Sequence, residues 1–229
     1  MKLLAIETST EACSVALYDD GALALRHELA PRRHTQLVLP WAEQLLASAG
    51  LRKSQLDAIA VGRGPGAFTG VRLGIALAQG LALALDRPVL PVSTLAVLAM
   101  QGQGRSILAA IDARMGEVYL GTFARDDAGL VQATGPEQVC APASAPRPDG
   151  SVHGVGTGFA AEGGALASRL GDRLAAFDAG ALPRADDLAR LAARAWARGE
   201  AVPPDVIEPA YLRDKVALTL AEQGKPRPG

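Results

Sequence analysis

The segment Gly62-Arg63-Gly64-Pro65-Gly66-Ala67-Phe68-Thr69-Gly70-Val71-Arg72-Leu73-Gly74 is where this chain most invites chemistry. Glycines between a strand and a helix can turn backbone N–H groups toward an anion at the helix N-terminus. The run Leu56–Val61 reads as the entering strand and Thr69–Leu85 as the departing helix, so the placement suits a phosphate. Gly62-x-Gly64-x-x-Ala67 also fits the relaxed dinucleotide fingerprint. That fingerprint needs an acid at the end of the next strand to hold a ribose. Here Val89-Leu90-Pro91-Val92 is followed by Ser93, and Asp86 lies on the wrong side. A Walker-type loop fails as well, because no Lys-Ser/Thr pair closes the segment. The residues favour a tight corner, with Gly64 and Gly66 supplying backbone angles closed to other residues and Pro65 stiffening the turn.

Other chemistry-bearing groups are scattered. His27, His34 and His153 have neither i, i+4 nor short-loop spacing, so no metal motif is expected from them. Cys13 and Cys140 have no Cys or His partner nearby, and two cysteines make no disulfide framework. No Gly-x-Ser-x-Gly elbow occurs, and Ser9, Ser14, Ser93 and Thr69 have no visible base. Asp112-Ala113-Arg114-Met115-Gly116-Glu117-Val118-Tyr119 gathers acids and an arginine in one turn, either as polar cleft lining or as a salt-bridged corner. We therefore expect no catalytic, cofactor-binding or metal-binding residues and no cofactor.

The positioning elements follow from length and pattern. With 229 residues, 49% apolar, the chain can bury a large core in one domain or two. A net charge of −1 excludes a global pull toward nucleic acid. An acid at Glu7 interrupts the N-terminus too early for a signal peptide, and no apolar stretch is expected to span a bilayer, so the cytoplasm is the expected location. Strands are expected over Leu3–Glu7, Cys13–Tyr18 and Ala22–Glu28, with Asp19-Asp20-Gly21 turning between the last two. A helix from His34 to Ala49 carries two apolar stripes, one of Leu37, Val38, Trp41 and Leu45, the other of Leu39, Ala42 and Leu46, and so touches something on both sides. In the helix after the glycine turn, Gly70, Gly74, Ala78 and Ala82 make one row of small residues and Ala76, Gly80 and Ala84 a second. Mid-helix glycine costs up to about 1 kcal/mol relative to alanine, so close backbone approach must compensate. Ser93 caps a further helix through Met100.

A second pass repeats the first. Ile107–Asp112 echoes Leu3–Glu7, each an apolar strand ending in an acid; Val118–Phe123 echoes the second strand, and Asp126-Asp127-Ala128-Gly129 echoes the first turn. Pro136 to Gly150 stands where the first half has its long helix. A strand Val152–Val155, a glycine turn, a helix to Leu170 and a last helix Ala185–Arg198 follow. Two β-β-β-α-β-α halves in tandem describe an actin-like α/β duplication of the ribonuclease H-like kind. We expect an N-terminal unit over residues 1–100, a C-terminal unit over 101–213 and a flexible tail over 214–229. In that architecture the acids Glu7 and Asp112 would face each other across a cleft and manage metal-bound phosphates; they read equally as ordinary strand-end acids.

Four blocks carry a resemblance: Ala5–Leu17, Gly62–Gly74, Ile111–Tyr119 and Pro209-Ala210-Tyr211-Leu212-Arg213. Together they closely resemble the TsaB (formerly YeaZ) family of tRNA threonylcarbamoyladenosine biosynthesis proteins, over residues 3 to about 213. The resemblance implies an actin-like bacterial subunit that helps build threonylcarbamoyl-adenosine beside the tRNA anticodon. It would dimerise with TsaD, the paralogue that transfers the group, engage the ATPase TsaE, meet tRNA only through the complex, and form a homodimer when alone. The family's transferase carries a His-x-x-x-His metal motif that this chain lacks. The small-residue helix beside the two-stripe helix suits a four-helix contact, with Leu37, Trp41, Gly70, Val71, Gly74 and Ala78 as expected interface residues and Gly74→Glu as the disrupting change. The competing readings are an actin-like ATPase or kinase in its own right, against which the short, acidic Thr8–Ala12 loop counts, and a metallopeptidase, against which the missing histidine pair counts.

Overall fold

The computed structural model describes residues 1–213. The expected tail over 214–229 lies outside the described residues. Strands β1 (Lys2–Glu7), β2 (Ala12–Asp19) and β3 (Ala22–Leu29) form an antiparallel meander. The Asp20-Gly21 turn between β2 and β3 has positive φ at both positions, the mirror-image turn whose twist matches a tight hairpin. Two parallel strands, β4 (Ala58–Gly62) and β5 (Val89–Val92), extend the sheet beyond β1, giving the order β3-β2-β1-β4-β5.

Both faces of this sheet are covered, which is why β1 and β4 read as continuous apolar runs. Helices α1 (His34–Ser48) and α2 (Phe68–Leu85) cover one face, packing Val38, Leu45, Ile75 and Ala78 on Leu4, Ile6, Val15 and Leu17. The opposite face is closed from far along the chain by α5 (Ala185–Ala197), whose Leu188, Ala189, Leu191 and Ala192 meet Leu3, Ala5, Ala16 and Ala60. No side chain of its own caps α5. Instead the buried Ser14 hydroxyl on β2 accepts the Ala185 N–H at 2.9 Å, satisfying one of the donors that a helix start leaves open. Between the sheets runs α3 (Thr94–Ala99), where Ser93 accepts the Ala96 N–H as expected.

The second sheet repeats the first. Strands β6 (Ser106–Arg114), β7 (Glu117–Arg125) and β8 (Val131–Ala133) form the meander, and the parallel β10 (Val152–Val155) and β11 (Leu174–Asp178) extend it beyond β6. Discounting the short β9 (Gln138–Cys140), which pairs with β7, the strand order matches that of the first sheet. The actin-like duplication is therefore present. Where the first half has α1, the second has only β9 and a short 3-10 turn, because its proline-rich sequence supplies neither helix periodicity nor N–H donors. The expected helix before Leu170 shortens to α4 (Ala165–Leu170), since Glu162, Gly163 and Gly164 all adopt positive φ.

Helix α2 is 18 residues long and apolar enough, by length and composition, to cross a membrane. It starts at Phe68, one residue before the expected Thr69. In the fold its inner stripe, Val71, Gly74, Ile75, Ala78 and Ala82, packs in the chain's own core.

Candidate functional site

The glycine turn is built around the loop that joins β1 to β2. A Cβ at Gly62 would fall inside the Glu7 carboxylate, one at Gly66 would meet the Ser9 carbonyl, one at Gly70 the Thr8 carbonyl, and one at Gly74 would lie 2.6 Å from the Thr8 hydroxyl. Four glycines spaced by four thus seat residues 7–9 as a groove seats a ridge. Hydrogen bonds fasten the seat: Ala67 N–H donates to the Ser9 carbonyl at 2.7 Å, and the Thr8 hydroxyl donates to the Gly70 carbonyl at 2.8 Å. Of the two sequence readings the corner is correct, and Gly64, at φ +93, supplies its turn angle. The Ala67 N–H, one donor at this helix start, is already committed to the Ser9 carbonyl.

Glu7 and Asp112 play unequal parts. Glu7 is buried, accepts the Ser9 N–H at 2.7 Å and faces the Thr94 hydroxyl at 3.4 Å; that hydroxyl accepts the Gly64 N–H at 3.1 Å. Burial pushes the Glu7 carboxyl above its ordinary range, against the pull of those hydrogen bonds. It therefore lies beneath the cleft surface as a knot tying β1, the glycine turn and α3. Asp112 does line the cleft, but Arg114 holds it with a backbone N–H and a guanidinium, each at 2.8 Å. The salt-bridged corner is the reading that describes it, and the two acids are not brought together.

The cleft between the sheets has a volume of about 720 Å³ and is lined by Ser9 and Thr10, the start of α2, the β6 end and Pro209–Arg213. The last of these forms a strap. Val202 bridges to Val89, Ile207 is buried in the first core, and Ala210 N–H donates to the Arg63 carbonyl at 2.8 Å. Arg213 then crosses to the β6–β7 turn, donating to the Ala113 carbonyl at 3.1 Å and to the Glu117 carboxylate at 2.5 Å. Sequence reading saw the Pro-Ala-Tyr-Leu-Arg block but not that it ties the halves together. His34 is a lock of the same kind, its Nε2 lying 3.0 Å and 3.2 Å from the Thr10 and Ala12 carbonyls. Among the described residues no three His, Cys, Asp or Glu side chains converge as a metal cluster. Burial pushes the Cys13 thiol up to about 12, which leaves it a poor nucleophile.

The expected interface residues divide. Leu37, Trp41 and Gly70 are half-buried, whereas Val71, Gly74 and Ala78 are buried against the chain's own sheet. The small-residue row through Gly74 faces the β1–β2 loop, so Gly74→Glu would disrupt the fold before it reached any partner. The second row, Ala76, Gly80 and Ala84, is the exposed one, and an added Cβ at Gly80 meets nothing within 4 Å. With half-buried Leu73 and exposed Leu83 it gives α2 an open apolar face.

Comparison with known proteins bears on this architecture. The family model for TsaD, tRNA N6-adenosine threonylcarbamoyltransferase, matches residues 26–220. Over 95% of its length, and 96% of the relative's, the chain is 43% identical to the tRNA threonylcarbamoyladenosine biosynthesis protein TsaB of Escherichia coli (strain K12). The chain belongs to the TsaB family. The Haemophilus influenzae TsaB is 41% identical, with 94% of this chain and 95% of that protein covered. A solved structure, YeaZ from Pseudomonas aeruginosa, superimposes with a TM-score of 0.84 at 47% identity, covering 92% of this chain and 99% of that one. Membership in the TsaB family gives the chain a role in tRNA threonylcarbamoyladenosine biosynthesis.

Proposed function

We propose that this chain is the non-catalytic scaffold and activator of the tRNA threonylcarbamoyladenosine machinery, working in the cytoplasm. In this reading residues 1–100 and 101–213 hold the two repeats, but the boundary between the units shifts: α5 and the strap up to Ile207 return to pack on the first sheet. It pairs with the TsaD paralogue through the outer faces of α1 and α2, forms a homodimer on the same surface when alone, and engages the ATPase TsaE as part of the pair. The carrying observation is α2 itself: an apolar helix of 18 residues of which only 28% are buried in the chain's own fold. Such a face calls for a partner. A paralogue of the same fold would offer a matching helix pair, and a two-fold contact of this kind should bury at least about 1,000 Å².

On this reading the contact is formed by Leu37, Trp41 and Gly70 together with Leu73, Ala76, Gly80 and Leu83, while Val71, Gly74 and Ala78 support it from beneath. The alternative, an ATP-binding protein in its own right, is disfavoured by the β1–β2 loop, which occupies its glycine seat with protein backbone. The test is Gly80→Glu, which places a charge on the open face without entering the core. We expect the variant to melt as the wild type does, yet to lose co-purification with TsaD and to run as a monomer. Unchanged pairing would overturn the interface. Heat on titration with Mg-ATP would favour the alternative.

A further inference from the structure

On the rim of the cleft, at the start of α2 and one turn before the open row of Ala76, Gly80 and Ala84, an arginine stands between two exposed aromatic rings. The Arg72 guanidinium carbon lies 3.3 Å from the Phe68 ring centroid and 5.1 Å from that of Tyr211. Arg72 also donates to the Tyr211 hydroxyl at 2.6 Å and to the Phe68 carbonyl at 3.3 Å. Helical spacing explains the first pair, since positions 68 and 72 lie one above the other on α2. The strap brings Tyr211 to them from the other end of the chain.

Three properties make this more than a surface contact. Phe68 and Tyr211 are 64% and 62% exposed, so each ring offers a free face to the solvent of the 720 Å³ cleft that both line. Arg72 has no carboxylate partner among the described residues, whereas the neighbouring Arg114 and Arg213 are held by Asp112 and Glu117. Its guanidinium is already oriented by two rings and two oxygens, so an anion would meet a cation that needs little further ordering. A rigid guanidinium between open π-faces is the combination that unpaired nucleotides use, base on the ring and phosphate on the cation.

We propose that Phe68, Arg72 and Tyr211 form a subsite for one unpaired nucleotide, the base stacking on an aromatic face and the phosphate pairing with Arg72. Glu11, also on the lining and without an ion-pair partner among the described residues, opposes a polyanion deeper in the cleft and limits the site to a single nucleotide at the rim. The nucleotide can come from an unpaired position of a tRNA or from a free mononucleotide. This inference rests on the family's role in tRNA modification and not on the pairing with TsaD.

The test uses the full chain, alone and with its paralogue, and follows a fluorescent anticodon stem-loop RNA by anisotropy at low salt. A blunt RNA duplex and AMP serve as comparison ligands. Phe68→Ala and Tyr211→Ala should each weaken stem-loop binding roughly 5- to 150-fold, the range for losing one stacked base. Tyr211→Phe, which keeps the ring, should bind nearly as the wild type does. Competition by AMP that vanishes in Phe68→Ala would support the subsite with mononucleotide as the source. Stem-loop binding without AMP competition would support it with tRNA as the source. No binding of either ligand, equal affinity for duplex and stem-loop, or wild-type affinity in both alanine variants that melt normally would overturn the proposal. Pairing with the paralogue, measured on Tyr211→Ala, whose residue lies on the strap and not on α2, should be retained, so failure here leaves the interface reading standing.

Discussion

Replacing either of two glycines in one helix by alanine should move stability in opposite directions. At Gly70 the new methyl must enter the space of the Thr8 carbonyl, a backbone atom fixed by the β1–β2 loop. Overpacking of this kind costs about 1–3 kcal/mol. Displacing the Thr8 hydroxyl from the Gly70 carbonyl costs on the order of 1 kcal/mol more. The gain in helix propensity offsets up to about 1 kcal/mol, leaving a net loss of roughly 1–3 kcal/mol. At Gly80 only the propensity gain operates, because an added Cβ touches nothing within 4 Å. In a chain of this size each kcal/mol shifts Tm by about 2–4 °C. Gly70→Ala should therefore melt several degrees below the wild type and Gly80→Ala a few degrees above it, compared by urea and thermal unfolding in dilute solution where self-association is weak. If Gly70→Ala were as stable as Gly80→Ala, the glycine row would not be a seat for the loop, and the case against a phosphate in that turn would lose its structural basis.

Three further outcomes follow from buried charge and from the strap. Glu7, whose carboxyl is raised by burial, keeps its proton to higher pH when folded than when unfolded, so the fold loses stability as pH rises through that interval. Glu7→Gln, which can still accept the Ser9 N–H, should flatten the dependence and unfold later in urea at about pH 8; an unchanged slope would refute the assignment. Asp187, raised from 3.8 to about 6 mainly by burial and then by Asp186, acts in the same sense. Between those values the wild type should lose on the order of 3 kcal/mol that Asp187→Asn retains, and chemical denaturation at several pH values reads the difference. Arg213→Ala should cost about 1 kcal/mol and lower hydrogen-exchange protection of the Ala210 N–H, which is bonded to Arg63 in the strap; equal protection would mean that the strap is held without its arginine.

The repeat was legible because each half begins with an apolar strand ending in an acid, followed by a second strand and an acidic turn. Helix α2 and the Ser93 cap were legible for similar local reasons. Strands β8, β9 and β11 were not: β8 and β9 span three residues each, and β11 has a mostly exposed Leu-Ala-Ala-Phe-Asp sequence without alternation. The glycine row shows how far spacing reaches. A period of four places Gly70, Gly74 and Ala78 on one face but carries no information about which way that face points. The β1–β2 loop claims it, and Val71, Gly74 and Ala78 go inside. Likewise, an arginine at position 72 and a tyrosine at position 211 give no sign of each other until the strap folds back.

The placement of α5 has a consequence for how the chain is made. Residues 2–92 complete the hydrogen bonding of the first sheet, yet the helix that covers one of its faces and borrows the Ser14 hydroxyl for its start lies at residues 185–197. At about 5–20 residues per second, a ribosome would hold that half-finished sheet for several seconds with Leu3, Ala5, Ala16 and Ala60 bare on the nascent chain. A fragment ending near residue 100 should therefore emerge sticky rather than folded, and chaperones that screen apolar surface should find it. The first sheet can be covered on both faces only after that last helix leaves the exit tunnel.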